Sequence, residues 1–322
     1  MQFSVYQESH IGGRKVNQDR MGYSFTRDAL LLVLADGMGG HLYGEIAAQL
    51  ALQTMSTLFQ QQATPYVRKP ERFLEESLTE AHHAIHNYRI THQLSETPRT
   101  TVVACLIQHN TAVWAHCGDS RLYWMRQGKI LGRTRDHSHI ESMISKGLIS
   151  PAERNTHPDR NKLYNCLGAT ALPKVEISRR ASLLPGDLML LCSDGLWAVL
   201  PDDDLAYHLY NDTIVRAVPD LLNAALAVAG KHADNTTALA IMWQGSPVND
   251  GAFTTAHGSS STMISTEALP QNLIGTTIHG LQDAPRATLE AEDGVDAFND
   301  DEIEKAIAEI RGAIEKSSQM LK

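Results

Sequence analysis

The chain is short of the features that mark many specialised protein classes. It has four cysteines in 322 residues and no C-x-x-C pair, so a disulfide-built miniprotein is excluded. Cys105, Cys117, Cys166 and Cys192 are expected to be reduced packing residues, because a free thiol behaves as a small apolar group. No apolar run approaches the roughly 18 residues that a bilayer span needs; the longest strong one, Ala29 to Ala35, has seven. The opening MQFSVYQESH lacks a basic region followed by an apolar stretch, so no secretory signal, no membrane association and a cytoplasmic location are expected. There is no repeat at the usual periods of about 20 to 50 residues. Charge bias is also missing from the body: residues 1–245 carry 23 Lys and Arg against 24 Asp and Glu, whereas residues 246–322 carry 5 against 13. A near-neutral body with an acidic tail has no electrostatic pull towards a phosphate backbone, so nucleic acid is not an expected partner.

What is present is ordinary globular composition, 43% apolar and 20% charged, in a chain long enough for one large domain with an appendage. Short β-rich runs read as strands at Phe3 to Gln7, Leu30 to Ala35, Thr101 to Gln108, Thr111 to His116, Arg121 to Met125, Val175 to Ala181, Leu188 to Cys192 and Thr237 to Trp243. Helical spacing is found at Gly44 to Gln62, Pro70 to Gln93, Ile140 to Lys146, Asp202 to Leu209 and Ile214 to Lys231. Turn signals at Gln108 to Thr111, Gln127-Gly128 and Pro185-Gly186-Asp187 imply antiparallel pairing, which predicts helices packed outside two antiparallel sheets. After Trp243 the composition shifts to Gly, Ser, Thr, Pro and Asn. The expected organisation is a body over 1–245, a flexible linker over 246–297 and an amphipathic helix over 298–322, whose Ile303, Ile307, Ile310 and Ile314 form one stripe. That stripe is expected to bind a partner surface or to dock back on the body.

Four aspartates share one setting. Asp36 follows LLLVLA, Asp194 follows LMLLCS, Asp119 follows AVWAHCG, and Asp234 precedes Asn235-TTALAI. Each is a charge at the end of a strand. Any one alone reads as a turn residue, but several together would repel one another unless cations lay between them. Oxygen ligands without a Cys or His array point to hard ions such as Mg²⁺ or Mn²⁺.

Asp36-Gly-Met-Gly-Gly-His-Leu-Tyr-Gly-Glu45 resembles the DGMGGHxxGE signature of bacterial PP2C-type, metal-dependent protein serine/threonine phosphatases of the PPM family. The resemblance continues in order through Gly13-Arg14-Lys-Val-Asn17-Gln18-Asp19, Arg99-Thr100-Thr101, Gly118-Asp119-Ser120-Arg121 and Thr134-Arg135-Asp136-His137-Ser138. Asn165-Cys-Leu-Gly168, Ser193-Asp194-Gly195-Leu196 and Asp234-Asn235-Thr236-Thr237 complete it, leaving the tail uncovered. It implies a four-layer αββα sandwich, an α/β (α+β) fold with a metal site at one end of the sheets. By resemblance Asp36, Asp194 and Asp234 hold one ion, and Asp19, Asp36 and the Gly37 carbonyl hold the other. Asp119 with Asp194 would hold a third Mg²⁺ or Mn²⁺. Arg14 would bind the substrate phosphate, and residues from about 138 to 169 would form a flap beside the cleft. The implied activity is hydrolysis of phosphoserine and phosphothreonine on proteins, opposing a bacterial serine/threonine kinase. The alternatives are a fold whose chemistry has lapsed into partner binding, and a phosphatase of small molecules.

One position departs from the wider family. Eukaryotic relatives carry His directly after Asp-Gly as a proposed acid for the leaving alkoxide, whereas here Met38 stands there, and a thioether donates no proton. A metal-bound water or His41 is the candidate acid, with a loop hydrogen bond as the alternative role of His41. Elsewhere, Gly37 to Gly40 lacks the spacing of a dinucleotide or P-loop motif. His82 and His86, at i and i+4 without an H-E-x-x-H, are expected on a solvated helix face.

Overall fold

The computed structural model describes residues 1–38, 43–154, 156–245, 262–265 and 275–279. In chain order the elements are β1 (Gln2–His10), β2 (Asp19–Phe25), β3 (Ala29–Gly37), α1 (Gly44–Gln62), α2 (Pro70–Thr91), β4 (Thr100–Gln108), β5 (Thr111–Cys117), β6 (Arg121–Arg126), β7 (Lys129–Arg133) and α3 (His139–Ser145). They continue with β8 (Glu176–Ile177), β9 (Ala181–Ser182), β10 (Leu188–Cys192), α4 (Asp194–Trp197), α5 (Asp202–Asn211), α6 (Ile214–Ala229), β11 (Thr236–Gly245), β12 (Thr262–Ser265) and β13 (Gly275–His279). One sheet runs β12-β1-β11-β10-β6-β7 and the other β13-β2-β3-β4-β5-β8, with β9 also on β5, and every pairing is antiparallel.

The two-residue period of β3 shows how the layers form. Ala29, Leu31, Val33 and Ala35 pack with α1 and α2, while Leu30, Leu32 and Leu34 pack into the layer between the sheets. Both faces are apolar, which is why the strand reads as an unbroken hydrophobic run. β10 and β11 repeat the arrangement on the other sheet. Leu190, Cys192, Ala238 and Ala240 face the α5 and α6 layer, and Leu191, Leu239, Ile241 and Trp243 face the opposite sheet. The expected αββα sandwich is thus built from three apolar layers, and all four cysteines are buried and free.

Several expectations need correction. β2 was not anticipated, because its core side chains Met21 and Tyr23 alternate with Arg20, Gly22 and Ser24 and never form an apolar run. The single strand expected over 175–181 is two short pairings, Glu176–Ile177 and Ala181–Ser182, both against β5. His82 is buried, not solvated: it shares the α2 stripe of Leu74, Leu78, Ala81 and Ile85, and its Nδ1 accepts the Gly168 amide at 3.2 Å. Burial lowers its pKa to about 4, in keeping with a neutral acceptor ring, and neighbouring His86 bonds the Ala169 carbonyl at 2.9 Å.

The segment expected as a linker over 246–297 also contributes to the sheets. β12 pairs with β1 from Gln2↔Ser265 to Val5↔Thr262, and β13 pairs with β2 from Phe25↔Gly275 to Met21↔His279. Thr276 Oγ1 accepts from Gln60 Nε2 at 2.8 Å. The reason is that β1 and β2 would otherwise be open sheet edges, and short β-branched segments can complete their ladders. The rest of that segment and the helix expected over 298–322 lie outside the described residues. A chain ending at Gly245 is expected to fold, yet to melt below the full chain because β1 and β2 lose their edge partners. Paired calorimetric scans check this, and an unchanged melting temperature would mean that β12 and β13 contribute no stability.

Candidate active site

Antiparallel pairing brings alternate strand ends to one end of the sandwich. β2 begins there with Asp19 and β3 ends there with Asp36, so the two acids are direct partners across the ladder. Asp119 lies in the turn between β5 and β6, Asp194 opens α4 directly after β10, and Asp234 precedes β11. Both sheets therefore supply carboxylates to the same end, although the residues span more than 200 positions of sequence.

The acids sit in surroundings that disfavour charge. Asp19 is 2% exposed; its Oδ2 accepts from Ser193 Oγ at 2.8 Å, while its Oδ1 is buried without any hydrogen-bond partner. Burial holds the Asp19 pKa above its usual range even against the hydrogen bond of Ser193. Asp36 is raised well above the normal carboxylate range by burial first, then by the charges of Asp19, Asp194, Asp119 and Asp234. Asp194 is raised well above it by burial and by Asp119 and Asp234, and Asp119 rises to about 7 through burial and nearby Asp136. Carboxylates that push one another's pKa upward are short of positive charge, and an orphaned buried oxygen is the donor that a hard cation takes.

Backbone packing holds the cluster closely. A Cβ on Gly37 would lie 2.4 Å from the Gly44 carbonyl carbon and oxygen, so only glycine lets β3 run against the start of α1. Thr100 Oγ1 donates to the Asp36 carbonyl at 2.8 Å, and the Met38 amide donates to the Arg99 carbonyl at 3.0 Å. Asn235 clamps the loop before β2: its Oδ1 accepts from the Gln18 amide at 2.9 Å, and its Nδ2 donates to the carbonyls of Ile11 and Val16. Asn235, Ser193 and Thr100 stand in the sequence motifs without a functional group that marks them for this role. Their signal was adjacency to a candidate acid.

Arg14 Nη2 donates to Asp234 Oδ2 at 2.5 Å, which places the guanidinium beside the acids on a half-exposed side chain. An open cleft passes Arg14, Asp119, Asp194 and Asp234, and is walled by Ser138, Ile140, Arg154, Arg160, Trp197 and His232. Nothing in the spacing of Arg154, Arg160 or His232 marked them beforehand. Arg154 also bonds Asp136 at 2.9 Å and Glu141, tying the 138–169 excursion to the body. The structure thus brings together Asp19, Asp36, Gly37, Asp119, Asp194, Asp234 and Arg14. His41 lies outside the described residues. The arrangement offers oxygen donors for divalent cations with the Arg14 guanidinium bonded at their edge, opening to solvent.

A family model described as Protein phosphatase 2C matches residues 6–228. The chain is 32% identical over 214 residues to the serine/threonine protein phosphatase PstP of Mycobacterium tuberculosis, covering 65% of this chain and 39% of that protein. It is 29% identical over 234 residues to the serine/threonine phosphatase stp of Listeria monocytogenes, covering 71% and 90%. A crystal structure of the M. tuberculosis PstP/Ppp phosphatase superimposes with a TM-score of 0.66 at 29% identity, over 76% of this chain and 100% of that one. The catalytic domain of PstP in complex with two manganese ions gives 0.64 at 27%, over 75% and 98%. No helix among the described residues is long and apolar enough to cross a membrane.

Proposed function

The chain belongs to the protein phosphatase 2C family, and from that premise we propose that it is a metal-dependent phosphatase acting on phosphoserine and phosphothreonine in proteins. The observation that carries this reading is the convergence of Asp19, Asp36, Asp119 and Asp194, whose pKa values are raised, on the end of the sandwich that also holds Asp234, together with an unpartnered Asp19 oxygen. A lapsed binding module would not need to keep so strained a set of acids.

The donor set fits hard cations: oxygen atoms only, one of them orphaned, in a cradle closed by Gly37. Asp36, Asp194 and Asp234 would hold one Mg²⁺ or Mn²⁺, and Asp19, Asp36 and the Gly37 carbonyl a second, with Asp36 common to both. Asp119 and Asp194 would hold a third. Such ions, when bound, supply the Lewis acidity that makes water nucleophilic at neutral pH and offsets charge on a phosphoryl group. No side chain of this cluster then has to act as a covalent nucleophile.

The residues of the chain do the remaining work. Asp234 engages one Arg14 nitrogen, and the guanidinium retains further N–H donors for phosphoryl oxygens in a planar fork. Met38 offers no proton to the leaving alkoxide, so that role passes to another group, with His41 the candidate from its place in the signature loop. The cleft opens to solvent beside Arg14, so a phosphorylated side chain on a protein surface can reach it, and phosphoproteins of a serine/threonine kinase are the proposed substrates. The acidic 246–322 tail is proposed to hold the enzyme near a partner through the Ile303 to Ile314 stripe.

Steady-state assays on phosphothreonine peptides in the presence of Mn²⁺ test the activity; no turnover on any phosphopeptide, with small phosphate esters cleaved, would turn the reading to a small-molecule phosphatase. Arg14→Ala is expected to raise KM roughly tenfold or more, the loss of a charge-assisted hydrogen bond of about 1.5 to 3 kcal/mol, while kcat falls much less. An unchanged KM would remove Arg14 from the phosphate site.

A further inference from the structure

His137 stands outside the acid cluster, yet its ring joins three parts of the site. The Gly118 amide donates to His137 Nδ1 at 3.2 Å, and the His137 amide returns a bond to the Gly118 carbonyl at 2.9 Å. Gly118 is the residue before Asp119. It has φ +117, and a Cβ there would meet Thr101 Cβ at 2.5 Å, so this turn has no freedom to find another geometry. Asn165 Nδ2 also donates to His137 Nδ1, at 2.7 Å. The orientation of that amide is settled by its other end, where Asn165 Oδ1 accepts from the Lys174 amide at 3.0 Å and Nδ2 donates to the Lys174 carbonyl.

Two donors on one ring nitrogen determine the tautomer. A backbone N–H and an amide NH₂ cannot accept, so Nδ1 carries the lone pair and the proton sits on Nε2, which faces Glu176 Oε2 at 3.4 Å. His116 lies against the ring with centroids 4.4 Å apart and an interplanar angle of 24°, and its own Nε2 is engaged by the Arg135 carbonyl. His116, His137 and Glu176 are metal-ligand types in close proximity. Near-parallel stacked rings, however, cannot both aim an in-plane lone pair at one ion, so the group works as a hydrogen-bond support.

The position of His137 in the chain gives this support its meaning. Residues 138–169 leave the body directly after it and return at Asn165, Ser138 and Leu163 bridge the two ends, and the Tyr164 amide bonds the His137 carbonyl. Through its ring and its backbone, His137 thus ties the Asn165 end of the excursion and the turn that carries Asp119 to the point where the excursion begins.

We propose that His137 is a positioning residue that aligns the Asp119 carboxylate with the acid cluster and fixes the roots of the 138–169 excursion through the Nδ1 lone pair. The inference rests on the phosphatase reading for its kinetic consequence, but its structural consequence can be measured without metal or substrate. Three variants of the full chain separate the atoms involved. His137→Asn keeps an acceptor near the Nδ1 position, His137→Gln places its amide near Nε2, and His137→Ala removes both.

In metal-free protein, hydrogen exchange is expected to quicken at Gly118 and across residues 164–167 in the Gln and Ala variants, and to stay near wild type in the Asn variant. With saturating Mn²⁺, kcat on a phosphopeptide is expected to fall roughly 10- to 100-fold in the Gln and Ala variants, the usual penalty for losing a group that orients a ligand. The Asn variant should recover to within a few-fold, and KM should change little in all three. Unchanged exchange and unchanged kcat in His137→Gln would overturn the proposal. So would a lowered melting temperature in all three variants with kcat intact, since that describes a packing role alone. If wild type itself shows no phosphatase activity, the function proposed above fails, while the exchange comparison still decides the role of His137.

Discussion

Replacing Asp36 by Asn is expected to abolish most turnover and, in the metal-free protein, to raise stability. Asp36 is the acid common to both proposed core ions and the carboxylate on which the most neighbouring acids press. Asn keeps the shape and one oxygen but removes the charge, so turnover at saturating Mn²⁺ should fall on the order of 10³-fold or more. The stability effect has the opposite sign. An acid whose folded pKa lies above its unfolded value favours folding below the unfolded pKa, and that contribution is lost as pH rises through the folded pKa. At neutral pH the wild-type cluster therefore works against the metal-free fold, and the Asn variant is relieved of part of that repulsion. Thermal melts in chelator should place Asp36→Asn above wild type at pH 7, with the gap narrowing as pH falls towards the carboxylate range. A variant less stable than wild type in chelator, or one with near-normal turnover, would show that Asp36 is not the shared acid.

Removal of divalent ions should silence the wild-type enzyme completely and reversibly. Arg14 can bind phosphate, but without bound ions the crowded carboxylates repel the phosphoryl group and leave the attacking water without a Lewis acid. Excess chelator is expected to bring activity to background, and Mn²⁺ or Mg²⁺ to restore it. Binding should also stabilise the fold, by about 2.7 kcal/mol for each independent site when free ion exceeds Kd a hundredfold. The melting temperature should therefore climb with added Mn²⁺ in wild type and much less in Asp36→Asn. Sustained turnover in excess chelator would refute the metal mechanism, and calorimetric titration would separate two ions from three through Asp119→Ala.

The parts of this protein that could be foreseen are those where one residue reports its own surroundings. The unbroken run Leu30 to Ala35 announced a strand buried on both faces, and the 19 residues of α1 had the helical period from Gly44 to Gln62. β2 is illegible by the same logic, since three of its seven positions, Asp19, Arg20 and Ser24, are polar groups turned to specific partners. Arg20 bonds Gln49 and Asp19 pairs with Asp36. For His82 the informative signal is its place in the apolar stripe of Leu78 and Ile85, and not its i, i+4 spacing to His86.

By itself the sequence determined the family, the two antiparallel sheets with outer helices, and the identity of the acids. Each of these depends on local periodicity or on short motifs in which neighbouring residues share one task. Only the tertiary structure decided that β12 and β13 close the two sheet edges, that His137 accepts from Gly118 and Asn165 at once, and that Arg154, Arg160 and His232 wall the cleft beside Arg14. Those facts are contacts between residues far apart in the chain. A side chain's protonation and its hydrogen-bond partners are set by which strand ends happen to meet, and no spacing along the chain encodes that meeting.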